Sequence, residues 1–193
     1  NMQDQFFLVM LVMLGTIGIF LIPWQLVSKK LNKGPAYALG LGIACLAIIG
    51  AFFLPNHPTP LIYVVAALLG IGLSTQWVIP SAMLPDVIEY DEKMTGERRE
   101  GVYNGISNFL TKLSVALGIA IPGWALSGFG YVANSVQTEQ ALFGIRLTYS
   151  VLPALALLAC LPILFRYPIT RTTHALLRQE LAAKHKLEVS NEP

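Results

Sequence analysis

The chain is 193 residues long, with 54% hydrophobic and 12% charged residues, and its 13 basic and 11 acidic side chains give a net charge of +2. A soluble domain usually carries about 25% charged residues. Charged residues are also absent between residues 5 and 28, 35 and 85, 113 and 138, and 147 and 165. This distribution excludes a soluble enzyme, a disordered tail and a nucleic-acid-binding module, and it predicts a protein that lies in a membrane.

The apolar stretches are continuous rather than alternating, which predicts membrane-spanning helices and not a β-barrel. A helix needs about 20 apolar residues to cross a bilayer core about 30 Å thick. We therefore predict an all-α, polytopic membrane protein with five transmembrane helices, over residues 5–28, 35–54, 61–85, 102–126 and 143–166. These helices make up a transmembrane part over residues 1–167, and residues 168–193 are expected to form a tail with a short amphipathic helix.

The basic residues predict the orientation of these helices. Eleven of the 13 Lys and Arg residues lie in segments 28–34 and 86–101 or after residue 165, whereas segments 55–60 and 131–141 carry none. Because cytoplasmic loops are enriched in Lys and Arg, we expect the basic segments and the C-terminus on the cytoplasmic side of a plasma (inner) membrane. Five helices would then start outside, from a chain whose first residue is Asn1. We therefore expect the last five helices of a larger protein.

Polar residues follow one face of the fourth predicted helix. Lys112 lies well inside this helix, where a charge costs roughly 2.5–3.5 kcal/mol on insertion scales. Four more polar residues recur at offsets of three and four along the same face: Asn104, Ser107, Asn108 and Thr111. Such a face lines a water-filled pathway, the interpretation that we favour, or forms a polar seam in which Lys112 pairs with an acid. None of the 11 acidic residues lies within the five predicted spans, so an acidic partner is expected elsewhere.

A second polar patch lies in the third predicted helix, where residues 74–76, ending in Gln76, precede Trp77. A tryptophan can stack on a sugar or cover an apolar ligand, and it can also pack at the membrane interface. Both kinds of role stay open for Trp77. Pro80 and Pro85 follow, and we expect them to bend the helix.

Two further features of the spans have structural interpretations. Arg146 begins the fifth span near its outer end, and we expect its side chain to reach the interface, with a role in a cavity as the alternative. Glycine permits close helix approach. We therefore expect neighbouring helices to approach closely at eight glycines in the spans: Gly15, Gly18, Gly40, Gly42, Gly70, Gly72, Gly118 and Gly123.

The sequence carries no recognisable catalytic or metal-binding motif. Cys45 and Cys160 lie within apolar spans, and His57, His174 and His185 are too scattered for metal-ligand spacing. Nucleotide-binding and nucleophile motifs are also absent from the sequence. We predict that the protein is not an enzyme and has no metal site and no nucleic-acid partner.

Several short motifs are similar to those of one transporter family. They are WVI at residues 77–79, PDVIEYDEK at 85–93, GERREG at 96–101, FLTK at 109–112, GYVAN at 130–134 and QALFGI at 140–145. Together they resemble the C-terminal half of the glycoside-pentoside-hexuronide:cation symporters, the melibiose-permease-like branch of the major facilitator superfamily. The similarity covers roughly residues 70–190, and the first two predicted spans fit the family's helix pattern more loosely.

The resemblance implies a fold and an activity. The family has twelve helices in two halves, so the five predicted here would be helices 8–12, and their partners would be the N-terminal helices of the same transporter. The implied activity is symport of a sugar or glycoside with a cation by alternating access, with the binding site between the two halves.

The resemblance also implies roles for individual residues. Lys112 resembles the family's lysine at the sugar and cation pocket, Trp77 an aromatic residue beside the sugar, and Asn108 a polar contact. The neighbouring polar residues Asn104, Thr111 and Gln76 complete the set of candidate substrate-binding and coupling residues. The candidate cytoplasmic gate consists of Asp86, Glu89 and Arg98.

The resemblance leaves the cargo and the coupling ion open. It implies no cofactor besides a coupling cation, Na⁺ or H⁺, whose acidic ligands are expected on N-terminal helices. A cation-coupled carrier of lysophospholipids or other amphiphiles from the same family is the first alternative. A membrane scaffold protein without transport activity is the alternative from another class.

Overall fold

The computed structural model describes the backbone of residues 2–55, 57 and 59–190, and the side chains of residues 5–55, 57, 59–181 and 183. All of the regular structure in this part of the chain is helical. In chain order the helices are α1 (Met2–Leu31), α2 (Lys33–Phe52), α3 (Leu61–Leu73), α4 (Thr75–Thr95), α5 (Glu100–Gly128), α6 (Glu139–Arg146), α7 (Leu152–Phe165) and α8 (Arg171–Ser190). A π-helical turn, Leu147–Val151, joins α6 to α7.

Within the described residues, five helical segments are long and apolar enough to cross a membrane: Gln5–Leu31, Lys33–Phe52, Leu61–Thr95, Glu100–Gly128 and Glu139–Phe165. This confirms the predicted all-α class with five membrane-spanning helices. The third segment combines α3 and α4 and runs ten residues past the predicted boundary at residue 85. The additional turns are charged, because hydrophobicity marks only the part of a helix that lipid surrounds, and the helix itself can continue beyond it.

Helix α2 lies at the centre of the described bundle and packs against α1, α3 and α7. Most of its buried positions are small, including Ala36, Ala38, Ala44 and Ala47, each no more than 3% exposed. Small side chains let helix backbones approach closely, which is the main source of helix association in a membrane. The core of the described bundle is therefore built around α2.

Glycines make the closest approach between α2 and α3. A Cβ atom added to Gly72 would lie 2.6 Å from both the Ala44 nitrogen and the Gly40 carbonyl oxygen. Added Cβ atoms at Gly40 and Gly70 would collide with Thr75 and Thr16. The expectation is therefore met at three of the eight glycines. At the other five, no atom of the described residues lies within 4 Å of an added Cβ, so the expectation stays a prediction there: Gly15, Gly18, Gly42, Gly118 and Gly123.

The third span is interrupted at Ser74, between α3 and α4, and not at its prolines. Helix α4 continues without interruption through Pro80 and Pro85. At the junction, the Ile71 carbonyl accepts hydrogen bonds from the Ser74 hydroxyl at 2.6 Å and from the indole nitrogen of Trp24 at 2.8 Å. Ser74 itself keeps helical dihedral angles, so α3 and α4 continue as one span while side chains bond the Ile71 carbonyl at the junction.

Arg146 lies at the end of α6, immediately before the π-helical turn. Its guanidinium Nη2 donates a hydrogen bond to the carbonyl of Leu54, just beyond the end of α2, at 3.0 Å. A charged donor satisfies this partly buried carbonyl well. The side chain thereby links the fifth span to the second.

Helix α8 returns to the bundle after the fifth span and packs against α4. Leu177 and Leu181 are buried, whereas Leu176 is 60% exposed. One apolar stripe of α8 therefore faces the bundle. The ends of α1, α4 and α7, the starts of α2 and α5, and α8 all lie at one end of the bundle, called the basic end below.

Candidate functional site

An open cavity of about 550 Å³ lies between α2, α4 and α5. Its polar lining consists of Gln76 from α4, Ser107, Thr111 and Ser114 from α5, and Tyr37 from α2. The α5 residues line it together because positions three and four apart share one face of a helix. The structure thus brings two predicted site residues, Gln76 and Thr111, to the same cavity.

The predicted polar face of α5 divides into two adjacent rows. Ser107 and Thr111 belong to the row that lines the cavity. The second row consists of Asn104, Asn108 and Lys112, which are spaced four residues apart, lie beside the first row and are exposed. Among the described residues, Lys112 has no ion-pair or hydrogen-bond partner. The two rows arise because consecutive helical residues point about 100° apart.

The polar patch at the start of α4 is also divided. Ser74 and Thr75 are fully buried, and their hydroxyls donate to carbonyls three residues earlier in the chain. Gln76 is exposed and lines the cavity, and Trp77 is 72% exposed beside it. Only the second half of the patch is therefore free to contact a ligand.

The cavity can form hydrogen bonds with a neutral ligand. The Thr111 hydroxyl donates to the Ser107 carbonyl at 2.8 Å, so its oxygen remains available as an acceptor. The Gln76 amide offers both donors and an acceptor, and Tyr37 offers a hydroxyl. Tyr37 could not be singled out from the sequence, because an aromatic residue in an apolar span carries no local sign of facing a cavity.

Charged side chains form a second cluster at the basic end. The carboxylate of Asp86, on α4, is 5% exposed and lies 2.6 Å from the ammonium of Lys33, at the start of α2. His174 Nε2, on α8, lies 3.3 Å from Asp86 and 2.8 Å from Glu89, one turn further along α4. Arg178 Nη2 contacts Glu89 at 3.2 Å. These five residues are called the basic-end cluster.

The basic-end cluster fastens α8 to α4. The hydrogen bond to Glu89 raises the pKa of Arg178, so its guanidinium stays charged. A further ion pair, Lys93–Glu180 at 2.5 Å, joins the same two helices. The spacing of Asp86 and Glu89 on one helix, and of His174 and Arg178 on another, is visible in the sequence, but their pairing is not.

Arg98 lies outside the basic-end cluster. Its guanidinium is 3.3 Å from Glu92 and 3.3 Å from Glu100, both close to it in sequence. The structure therefore brings Asp86 and Glu89 together but does not bring Arg98 to them. Among the described residues, no group of three or more His, Cys, Asp or Glu side chains could hold a metal ion.

Five apolar helices with polar groups exposed inside the spans define a multi-pass membrane protein of the transporter type. The family model described as MFS/sugar transport protein matches residues 1–171, so the chain belongs to this family. This confirms the family resemblance seen in the sequence motifs.

Relatives of known name support the same assignment. An uncharacterized symporter of Synechocystis sp. is 35% identical over 178 residues, which is 89% of this chain and 33% of the relative. The isoprimeverose transporter of Lactiplantibacillus pentosus is 30% identical over 97% of this chain and 40% of its own length. A glucuronide carrier protein homolog of Escherichia coli is 29% identical over 73% of this chain and 31% of its own length. The chain thus spans about a third of the length of these relatives, all of which are named as transporters, not enzymes.

Proposed function

We propose that this chain forms helices 8–12, the C-terminal part, of a twelve-helix secondary active transporter. The transporter carries a sugar or glycoside together with a coupling cation, sodium or a proton, by alternating access. The observation that carries the proposal is the open cavity between α4 and α5, whose neutral hydrogen-bonding groups lie inside the membrane spans of a symporter-containing family. Uptake by the full-length protein tests it.

The cavity suits a ligand rich in hydroxyl groups. Sugar hydroxyls both donate and accept, and they match the amide of Gln76 and the acceptor oxygen of Thr111. The exposed indole of Trp77 offers an apolar surface on which a sugar ring can stack. Asn104 and Asn108 extend the polar surface away from the cavity.

The names of the relatives support a sugar or glycoside as the cargo. One is named an isoprimeverose transporter and another a glucuronide carrier homolog. These names favour a sugar-type substrate over a lysophospholipid. They also favour transport over a scaffold role.

Lys112 is proposed as the coupling residue. An ammonium group on a membrane-spanning helix is costly unless it meets water or a carboxylate. We assign it as the partner of carboxylates that bind the cation on N-terminal helices of the same transporter. Binding of the cation would then change the charge balance around Lys112 and, through it, the neighbouring substrate site.

The basic end is proposed as the cytoplasmic side of a plasma (inner) membrane, because basic loops favour that side. There, Asp86, Glu89 and Arg98 form the inner gate. Asp86 and Glu89 are paired with residues of α2 and α8, and Arg98 with Glu92. Opening and closing would exchange these pairs for pairs with the opposite half.

The deciding experiment replaces Lys112 in the full-length transporter. Lys112→Gln removes the charge and should abolish accumulation of the sugar against its gradient in vesicles, with sodium and proton gradients imposed separately. The gradient that drives uptake by the unmodified protein identifies the coupling cation. Lys30→Gln is the matched control, because Lys30 is also an exposed lysine without an ion-pair partner among the described residues. Normal accumulation by the Lys112 variant would refute the coupling role, and no sugar uptake by the unmodified protein would refute the cargo.

A further inference from the structure

A second cavity, of about 380 Å³, lies at the basic end where α1, α2, α4 and α8 meet. Lys29, Lys33 and Arg171 line it and bring three permanent positive charges, against the one carboxylate of Asp86. Such an excess of positive charge around a cavity attracts anions. The cavity adjoins Asp86, which the proposal above places in the inner gate, but Lys29 and Arg171 have no role in that proposal.

The one carboxylate in the cavity is already engaged. The Asp86 carboxylate lies 2.6 Å from the Lys33 ammonium and 3.3 Å from His174 Nε2, so its negative charge is already paired with that of Lys33. Lys33 also donates to the Ala82 carbonyl at 2.8 Å. The charges available to a ligand are therefore those of Lys29 and Arg171.

Hydrogen bonds hold Arg171 against the backbone at the end of α1, where Lys29 lies. The Arg171 guanidinium donates from Nη1 to the carbonyl of Lys29 at 3.2 Å, which leaves its other N–H groups free within the described part of the chain. The Arg171 backbone N–H donates to the side-chain oxygen of Asn32 at 3.0 Å. Asn32 itself has a left-handed backbone, with φ of 70°, which turns the chain sharply between α1 and α2. The start of α8 is thus fixed against the end of α1.

We propose that this cavity binds the phosphate group of an anionic phospholipid, with Lys29 and Arg171 as its ligands. A guanidinium presents paired N–H groups that match phosphate oxygens, and a lysine adds a flexible point charge. Basic pockets between membrane helices at their cytoplasmic ends suit lipid headgroups. The basic residues of this pocket come from three different helices, so the site depends on their packing.

The position of the cavity favours a lipid over a soluble anion. It lies at the end of a membrane-spanning helix whose last turns expose large apolar side chains, with Ile22 67% and Leu26 56% exposed. Where this face of α1 meets the bilayer, these side chains would contact acyl chains one to two turns from Lys29 on the same helix. A phospholipid can occupy both surfaces at once, whereas a free phosphate ion can occupy only the charged one.

The test measures lipid binding to the detergent-solubilised full-length transporter by native mass spectrometry. We expect bound phosphatidylglycerol in excess of bound phosphatidylcholine when the two are supplied equally. The double change Lys29→Gln with Arg171→Gln should weaken phosphatidylglycerol binding roughly thirtyfold, from the loss of two surface cations. The matched control is Lys30→Gln with Arg166→Gln, which removes the same charge at the same end without touching the cavity lining.

Two further measurements distinguish a lipid site from a loss of folding and from a site for soluble anions. Lys29→Gln alone removes a side chain without a partner among the described residues, so it should weaken binding while leaving the melting temperature unchanged. Glycerol 1-phosphate, the soluble form of the same chemistry, should displace little lipid at millimolar concentration. Equal loss in the control double variant, no preference for phosphatidylglycerol, or full displacement by glycerol 1-phosphate would each overturn the proposed lipid site.

Discussion

Glu89 is the residue at which α4 and α8 are joined most directly. Its carboxylate lies 2.8 Å from His174 and 3.2 Å from Arg178, and its side chain is 13% exposed. A partly buried carboxylate with two such donors is bound more firmly than a surface ion pair, whose contribution is usually below about 1 kcal/mol. Glu89 therefore contributes directly to the attachment of α8, in addition to the buried Leu177 and Leu181.

Neutralising Glu89 should loosen α8. In the full-length transporter, Glu89→Gln should increase amide hydrogen exchange in α8 roughly twofold to tenfold, because the attraction to Arg178 and His174 is lost while the shape is kept. Hydrogen exchange followed by mass spectrometry measures this. Glu97→Gln serves as the control, since Glu97 is exposed and its carboxylate has no ion-pair partner among the described residues. Equal protection of α8 in both variants would show that the Glu89 contacts do not hold it.

At the residue scale, the sequence identified Asp86 and Glu89 as charged residues that matter, but not their partners. Lys33 is 53 residues from Asp86 in the chain, and His174 is 85 residues from Glu89. Spacing rules work within one helix, where neighbours are three or four residues apart. Pairs between helices depend on how each helix is rotated about its axis, and no local pattern contains that information.

At the element scale, the crossing of α2 and α3 is the tightest feature of the bundle. Gly72 lies against the backbone of Gly40 and Ala44, so there is no side chain that could move aside for a larger residue. Overfilling a packed contact of this kind typically costs about 1–3 kcal/mol. The two helices can keep this separation only with glycine at position 72.

The contact of Gly72 with α2 can be tested by comparing two glycine-to-alanine substitutions. Gly72→Ala should destabilise the full-length protein by about 1–3 kcal/mol and lower its melting temperature, since the new methyl group meets backbone atoms. Gly42→Ala, on α2, should leave stability unchanged or raise it slightly, because nothing lies within 4 Å of the added carbon and alanine favours the helix. Thermal unfolding in detergent compares them. A Gly72 variant as stable as the Gly42 variant would contradict the packing described.

The helices themselves were predictable to a large extent, whereas their interruptions were not. The five spans could be predicted because a helix that crosses the hydrocarbon core needs a continuous run of apolar residues. The break at Ser74 and the uninterrupted course of α4 through Pro80 and Pro85 depend on contacts that the prolines do not reveal. Near Ser74, the indole of Trp24 on α1 donates a hydrogen bond to the Ile71 carbonyl.

On the scale of the whole molecule, α5 lies at the edge of the described bundle. None of its residues from Glu100 to Gly128 is buried, although its sequence is that of a membrane span. Its polar rows therefore face outward, next to the cavity that α4 and α2 complete. This is the surface at which the proposed transporter would bind its substrate.

Cysteine labelling tests whether the outer row of α5 faces water. In full-length transporter with Cys45→Ala and Cys160→Ala, Asn108→Cys should react with a water-soluble thiol reagent, and the transported sugar should slow the reaction. Ala47→Cys is the control, since Ala47 is 2% exposed in the core around α2 and should stay protected. If Asn108→Cys were equally protected, the row would be a polar seam between helices and the pathway role would be refuted.

The sequence by itself determined the all-α class, the five membrane spans and the family. It could do so because a bilayer imposes long apolar runs on any helix that crosses it, and because the family's motifs are short and local. Only the tertiary structure decided that Gln76 and Thr111 share a cavity, that Arg98 lies apart from Asp86 and Glu89, and that α8 binds to α4. Those outcomes depend on which faces of the helices meet, and that is set by small-residue contacts and ion pairs between distant parts of the chain.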